Sequence, residues 1–288
     1  MLRYCLTKNK GFPSSFFVGL FFAWSIFLLS VANDAYAVTM HIDKPKIRAQ
    51  IASGGSESGA ITVVNTTEDS VDVKAYLEDW IYSPTQDGAK DFAPPGTTPL
   101  SCAPWINFYP AEFTLSAFGA QQVFYSVRVP PGVEGGHYAV LFFETAMGTT
   151  KNEEGVDIVI KGRIGSLFYI EAGAVKRKAV LSDLAVTGRQ GEYKIDAVLK
   201  NIGNVDITAK GAFNIIDNKG MVFARGQFND VYTFAGEQAK ISSTFSKSIP
   251  AGNYDLIITL DLGDMPLIQE AQITFGSYGE VTNVTPKE

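Results

Sequence analysis

Two histidines and two cysteines are all that 288 residues contain, and that scarcity excludes whole classes of chemistry. An activated nucleophile needs a base within hydrogen-bond reach. His41 stands near the start of the chain, where order is not expected, and His137 follows Gly135-Gly136 at the head of an apolar run. Neither is placed as a general base, and no Gly-x-Ser-x-Gly elbow is present. The stretch Gly54-Gly55-Ser56-Glu57-Ser58-Gly59 lacks the Gly-Lys-Ser/Thr ending of a phosphate loop, so it reads as a flexible hairpin loop. Asp255, Asp261 and Asp264 cluster in sequence but without the spacing of a calcium loop. The chain therefore reads as non-enzymatic, with no metal site and no cofactor.

Other absences narrow the field further. Apolar residues recurring every 3.6 positions are missing, so no long amphipathic helix is expected. Positive charge is not in excess. Residues 1–37 carry three basic side chains and one acidic, leaving −8 on the remainder of a chain whose net charge is −6. That balance excludes a general nucleic-acid binder, whose affinity rests on clustered Lys and Arg. No small-molecule substrate is evident. Cys5 falls in the amino-terminal segment and Cys102 is alone beyond it, so no internal disulfide is expected. Cys102 reads as an inert small residue, with an intermolecular bridge as the alternative.

What the chain does contain begins with a leader. Arg3, Lys8 and Lys10 precede a largely apolar run from Phe16 to Val31, and Ala35-Tyr36-Ala37 has the small-x-small form of a cleavage site. Residues 1–37 read as a secretory signal peptide cleaved after Ala37. An uncleaved anchor is the alternative, although the run is short of the roughly 20 apolar residues that span a bilayer. The expected location is periplasmic or otherwise extracytoplasmic.

Beyond it, Phe, Tyr, Val, Ile and Thr are abundant, which favours strands. Short strand-like runs recur between turn residues: 60–64, 71–77, 122–129 and 138–143, then 180–187, 192–200, 208–216, 221–228, 239–247, 254–260 and 267–275. This rhythm predicts an all-β chain of two tandem immunoglobulin-like β-sandwiches. The expected bounds are 38–174 and 175–276, with a loose polar tail at 277–288. Ser83 to Pro104 carries five prolines and predicts a long exposed loop. The basic cluster Lys176-Arg177-Lys178 at the boundary reads as a solvated linker.

One stretch stands out. "IVIKGRIGSLFYI" (158–170) is apolar at both ends yet carries Lys161, Gly162 and Arg163 in its middle. Val156, Ile158 and Ile160 have a period of two, with Asp157, Val159 and Lys161 on the opposite face. Such a row reads either as an ordinary half-buried strand or as an edge left for a partner.

Laid out as strands, residues 46–170 resemble the amino-terminal domain of the PapD-type periplasmic pilus-assembly chaperones. "KIRAQI" (46–51) is similar to that family's first strand and "SGAITVVN" (58–65) to its second. "VKAYLEDW" (73–80), "FYPAEFTLSAFGAQQVFYSVRV" (108–129) and "GHYAVLFFETA" (136–146) follow in order, and "VDIVIKGRIGSLFYI" resembles the last strand. The resemblance implies a chaperone that completes a partner subunit's sheet through Val156, Ile158 and Ile160, a mode of strand addition already described for chaperones and pilins. It also implies an anchor for the subunit's terminal carboxylate, with Arg48 in the first basic position. In place of the family's second basic residue stand Gly165 and Ser166, and Arg163 is the substitute the sequence offers. Two readings follow: a periplasmic chaperone-like protein for a pilus or fimbrial-type subunit, or a cell-envelope protein built of adhesive, wall-interacting modules. The partner in either case is another protein, and the oligomeric state is not encoded.

Overall fold

The structure is a computed structural model, and it describes residues 40–264 and 266–287. The expected leader at 1–37 lies outside the described residues. Alternating apolar positions form strands throughout, because successive side chains of an extended chain point to opposite faces and only one face is buried.

The first sandwich contains β1 (Met40–Ile42), β2 (Lys46–Ile51), β3 (Ser56–Asn65), β4 (Val71–Tyr82), β5 (Lys90–Ala93), β6 (Ile106–Tyr109), β7 (Glu112–Leu115), β8 (Ala120–Arg128), β9 (Gly135–Lys151) and β10 (Asp157–Ala172). One sheet has the order β1-β3-β8-β6; the other runs β2-β10-β9-β4-β5, with β7 also paired to β4. β2 joins β10 in parallel while β9 joins it antiparallel. Ile61, Val63, Val123 and Val127 from one sheet meet Leu141, Phe143, Phe168 and Ile170 from the other in a buried core.

The second sandwich contains β11 (Ala179–Arg189), β12 (Glu192–Asn201), β13 (Ile207–Ile216), β14 (Val222–Gln227), β15 (Val231–Thr233), β16 (Gln238–Ser246), β17 (Gly252–Asp261), β18 (Leu267–Phe275) and β19 (Val281–Pro286). Its sheets are β11-β12-β16 and β14-β13-β17-β18-β19, with β15 on β13. Leu199, Phe213, Leu256 and Ile273 are among its fully buried side chains.

Several expectations need correction. The tail is not loose: β19 pairs with β18 from Ala271↔Pro286 to Phe275↔Val281. His41 is not disordered either; it lies in β1, opposite Val64. The flexible loop ends sooner than expected, since Ser56 to Gly59 already pair with β8. The 83–104 segment is no free loop. It contains β5, and the buried carboxylate of Asp79 accepts hydrogen bonds from the backbone N–H of Gly96, Thr97 and Thr98 and from the hydroxyls of Thr98 and Ser101. Cys102 is fully buried behind that clamp.

An aromatic cluster joins the sandwiches. Trp80, Tyr82, Tyr138 and Tyr169, on the outer face of the β2-β10-β9-β4-β5 sheet, pack against Phe234, which follows β15. The Phe234 ring stacks on Tyr138 at 4.4 Å between centroids and sits 4.7 Å from Tyr82. Gln86 hydrogen-bonds to the backbone of Gln238, and Gly136 N–H donates to Asn204 O.

Candidate functional site

β9 and β10 form a long hairpin whose tip stands clear of the rest of the sheet. β4 stops pairing with β9 at Lys74↔Glu144. β2 accompanies β10 only from Leu167↔Lys46 onward. From Asp157 to Gly165 β10 is therefore bonded to β9 on one flank, and among the described residues no strand covers the other. At about 3.3 Å per residue this open edge runs for roughly 30 Å.

The side chains along it divide by face. Phe168, Ile170 and Ala172 are buried in the first core, and Ile164, Ile160 and Ile158 continue the same row outward. Burial fades along the row: Ile164 and Ile160 are partly covered, while Ile158 is 45% exposed and Val156, just before the strand, 56%. This is the interior face of a sandwich continued past the end of the opposing sheet.

The opposite face explains the charges. Lys161 Nζ donates to Glu144 Oε1 at 2.8 Å. Arg163 Nη1 donates to Glu78 Oε1 at 2.9 Å and to the Tyr76 hydroxyl at 3.2 Å, with its guanidinium 4.0 Å from the centre of Phe142. Both cations are thus held by their own sheet. The Glu144 carboxyl, hydrogen-bonded by Lys161 and Tyr76, sits below the usual carboxylate range. The glycines make room for neighbours: a Cβ at Gly162 would come 2.3 Å from Met147 Sδ, and one at Gly165 2.7 Å from Val140 Cγ2. Ser166 is fully buried, and its hydroxyl donates to Lys44 O at 2.6 Å. A lysine at Gly165 would have to displace Val140 or Phe142, and one at the buried Ser166 would lose the bond to Lys44 O.

Arg48 lies on β2 near the junction of the sandwiches. Its guanidinium donates to Asp206 Oδ2 at 2.7 Å and Oδ1 at 3.1 Å, and to Glu171, and lies 4.6 Å from the Tyr169 ring centre. Hydrogen bonds and charge from the two carboxylates outweigh desolvation and push its pKa up. Arg177, expected in a solvated linker, is largely buried and bridges Glu171 to Asp264. The Tyr138 hydroxyl completes the group by accepting from Asp206 N–H at 2.8 Å.

The structure therefore brings Val156, Ile158 and Ile160 together on one open edge. It does not bring Arg163 to Arg48: in β10 Arg163 is six positions from Tyr169, the register partner of Arg48, or roughly 20 Å. Sequence reading missed Asp206, Glu171, Arg177 and the lysine pair Lys46 and Lys90. Lys46 Nζ lies 4.2 Å from the Tyr169 ring centre, and Lys90 Nζ 5.4 Å from that of Trp80. Among the described residues no group of three or more His, Cys, Asp or Glu side chains is arranged to hold a metal ion.

No protein-family model matches this chain, and no curated protein matches it. Solved structures do resemble it. A chaperone–tip adhesin complex of CFA/I fimbriae biogenesis gives a TM-score of 0.48 at 13% identity, covering 81% of this chain and 98% of the other. The class 5 fimbriae chaperone CfaA gives 0.47 at 14% identity, covering 80% and 98%. The chaperone–tip subunit pre-assembly complex CsuC–CsuE of Acinetobacter baumannii Csu pili gives 0.41 at 12% identity, covering 81% and 98%.

Proposed function

We propose that this protein is a non-enzymatic, extracytoplasmic chaperone-like protein that holds a protein subunit, of pilus or fimbrial type, by adding the open edge of β10 to that subunit's sheet. The observation that carries the reading is the unpaired flank of residues 157–165 beside the row of exposed Val156 and Ile158 and half-buried Ile160. An edge that is long and apolar invites pairing, and soluble proteins ordinarily blunt such edges with charge, proline, a bulge or a covering segment. The β9–β10 ladder shifts register once, between Ile160 and Lys161. Here the nearby charges, Lys161 and Arg163, are turned to the other face and neutralised there. The free N–H and C=O groups supply main-chain hydrogen bonds of about 0.5–1.5 kcal/mol net each. The row of branched side chains fixes register, because a slip by one residue would turn it to the wrong face. Each isoleucine fully buried on binding contributes about 1.5–3 kcal/mol.

In this reading Arg163 shapes the rim of the arm. Arg48 braces the cleft: it is already bound to Asp206 and Glu171, and a partner carboxylate reaching it has to displace one of them.

The test is the double variant Ile158→Asp/Ile160→Asp. Both positions lie on the hairpin beyond the main core, so the fold is expected to survive, as judged by circular dichroism and melting temperature. Recovery of a bound subunit from periplasmic extracts is expected to disappear. A folded double variant that retains its partner overturns the proposal.

A further inference from the structure

We propose that Met147, reaching across from β9, is the size-adjusting contact of the partner-binding row. Its thioether stands in for the side chain that Gly162 lacks, and by swinging aside it lets one position of the bound strand range from small to aromatic. This inference rests on the edge-strand reading and specifies which side chain of the arm sets what the edge accepts.

The row has a gap. Alternate residues of a strand share a face, so the inward positions of β10 from arm to core run Ile158, Ile160, Gly162, Ile164. Three carry branched side chains and one carries none. The gap is filled from the neighbouring strand. Ile160 pairs with Gly148 and Lys161 with Ala146, so Met147 is an extra residue in β9 without a register partner. A bulge of this kind re-aims the side chains around it. Here Met147 lies over Gly162: a Cβ built on the glycine would fall against Met147 Sδ, 3.1 Å from its Cγ and 3.7 Å from its Cε. The sulfur sits almost where a side chain of residue 162 would begin, and any such side chain would dislodge it.

The chemistry of the filling differs from that of its neighbours. Isoleucine is stiff at χ1, so Ile158, Ile160 and Ile164 present fixed knobs. Methionine is unbranched, has three rotatable bonds and carries a polarizable sulfur that packs well against aromatic edges. Met147 is half-buried, and it stands beyond Glu144, where β4 parts from β9. Among the described residues no strand pairs with β9 on that flank, so the thioether has room to swing. With Met147 in place the row is continuous, and a small residue opposite Gly162 finds a surface to pack on. With Met147 displaced, the bare backbone of Gly162 leaves a slot for a large one. The occupant that fits is an extended segment, apolar at alternate positions, whose residue opposite Gly162 is free to vary in size.

The experiment uses the full chain carrying ¹³C-methyl methionine, titrated under NMR with three acetylated, amidated peptides. In each, a run of alternating Val and Thr stands between two lysines, and the central Val is kept or replaced by Ala or Phe. The Met147 methyl, identified by its absence from the Met147→Ala spectrum, is expected to shift saturably with all three, at affinities agreeing within about threefold. In Met147→Ala the Phe peptide is expected to hold its affinity while the Ala peptide weakens roughly tenfold, because only the larger side chain fills the vacated slot. The methyl of Met40, buried in the first core, reports that the fold is intact. Equal weakening of the three peptides in Met147→Ala, or no change in any, overturns the adjusting role and leaves the edge standing. No saturable shift in the parent, or binding that survives Ile158→Asp/Ile160→Asp, defeats the edge-strand reading and this inference with it.

Discussion

Arg48 Nη2 lies 2.7 Å from Asp206 Oδ2, and that contact ties the second strand of one sandwich to the residue just before β13 in the other. The Asp206 side chain is 2% exposed, so its charge depends on the arginine for compensation. Replacing Arg48 with Met strands a buried carboxylate, a change that costs about 3–5 kcal/mol when a pair is fully buried. Because the arginine side chain is 33% exposed, the loss is expected near about 3 kcal/mol. The double variant Arg48→Met/Asp206→Leu is expected to recover most of it. Denaturant unfolding measures both; a single variant within about 0.5 kcal/mol of the parent shows that the contact carries no weight.

Phe234 supplies the apolar half of the same junction. It is buried, and it touches Trp80 at 5.5 Å, Tyr82 at 4.7 Å and Tyr138 at 4.4 Å between ring centres. Truncating a buried phenylalanine to alanine costs about 3–5 kcal/mol, and here the lost contacts are those between sandwiches. Phe234→Ala is expected to split one cooperative thermal transition into two, with the cores around Phe143 and Phe213 melting apart. Calorimetry decides: a single transition in the variant means that the aromatic cluster does not couple the sandwiches.

Sequence patterning reveals much of this fold and little of its junctions, for a physical reason. Alternation marks a strand that buries one face, which is why β12, β13, β16, β17 and β18 are all legible, as is the row Val156, Ile158 and Ile160. β9 is harder: from Tyr138 to Phe143 both faces are covered, one by the first core and one by the aromatic cluster, so the period of two disappears. β15 and β19 are too short or too polar to stand out. Of the ionic group only Arg48 stands out, through the resemblance; Glu171, Arg177, Asp206 and Asp264 are separated along the chain and each looks like a surface charge where it stands. Arg177 is the clearest case, since its neighbours Lys176 and Lys178 give it the look of a solvated linker. Proline richness predicts exposure for residues 83–104, and all five prolines are exposed; what it does not reveal is β5 and the Asp79 carboxylate, which holds the 96–101 stretch against the sheet.

Asp79 therefore makes its own prediction. Fully buried, it accepts from Gly96 N–H at 3.1 Å and from the N–H groups of Thr97 and Thr98 at 2.8 Å each. Removing the acceptor takes the partner from Gly96 and Thr98 N–H, while Thr97 N–H keeps Pro94 O at 3.3 Å; a buried group left unsatisfied costs about 1–3 kcal/mol. Asp79→Ala is expected to lose about 1–3 kcal/mol and to open residues 83–104 to proteolysis at temperatures where the parent resists. Unchanged cleavage of that segment, followed by mass spectrometry, defeats the argument that one carboxylate orders it.

His137 gives the fold a modest dependence on pH whose sign can be worked out. Its ring is half-buried, with its centre 4.4 Å from that of Trp105, and Nδ1 is 3.3 Å from Gly135 O. Burial disfavours the imidazolium and lowers the pKa from 6.5, opposed in part by the bond to Gly135. The unfolded chain thus takes up the proton first as pH falls, so the unfolded state binds more protons in the window just below about 6.5. The contribution of this group is intact above that value, declines as pH falls toward the folded pKa, and levels off beneath it. His137→Phe keeps a ring against Trp105 and removes the titration. The melting temperature of the parent is expected to fall further between about pH 7.5 and about pH 5 than that of the variant. Equal falls in the two proteins would mean that this imidazole does not set the acid sensitivity.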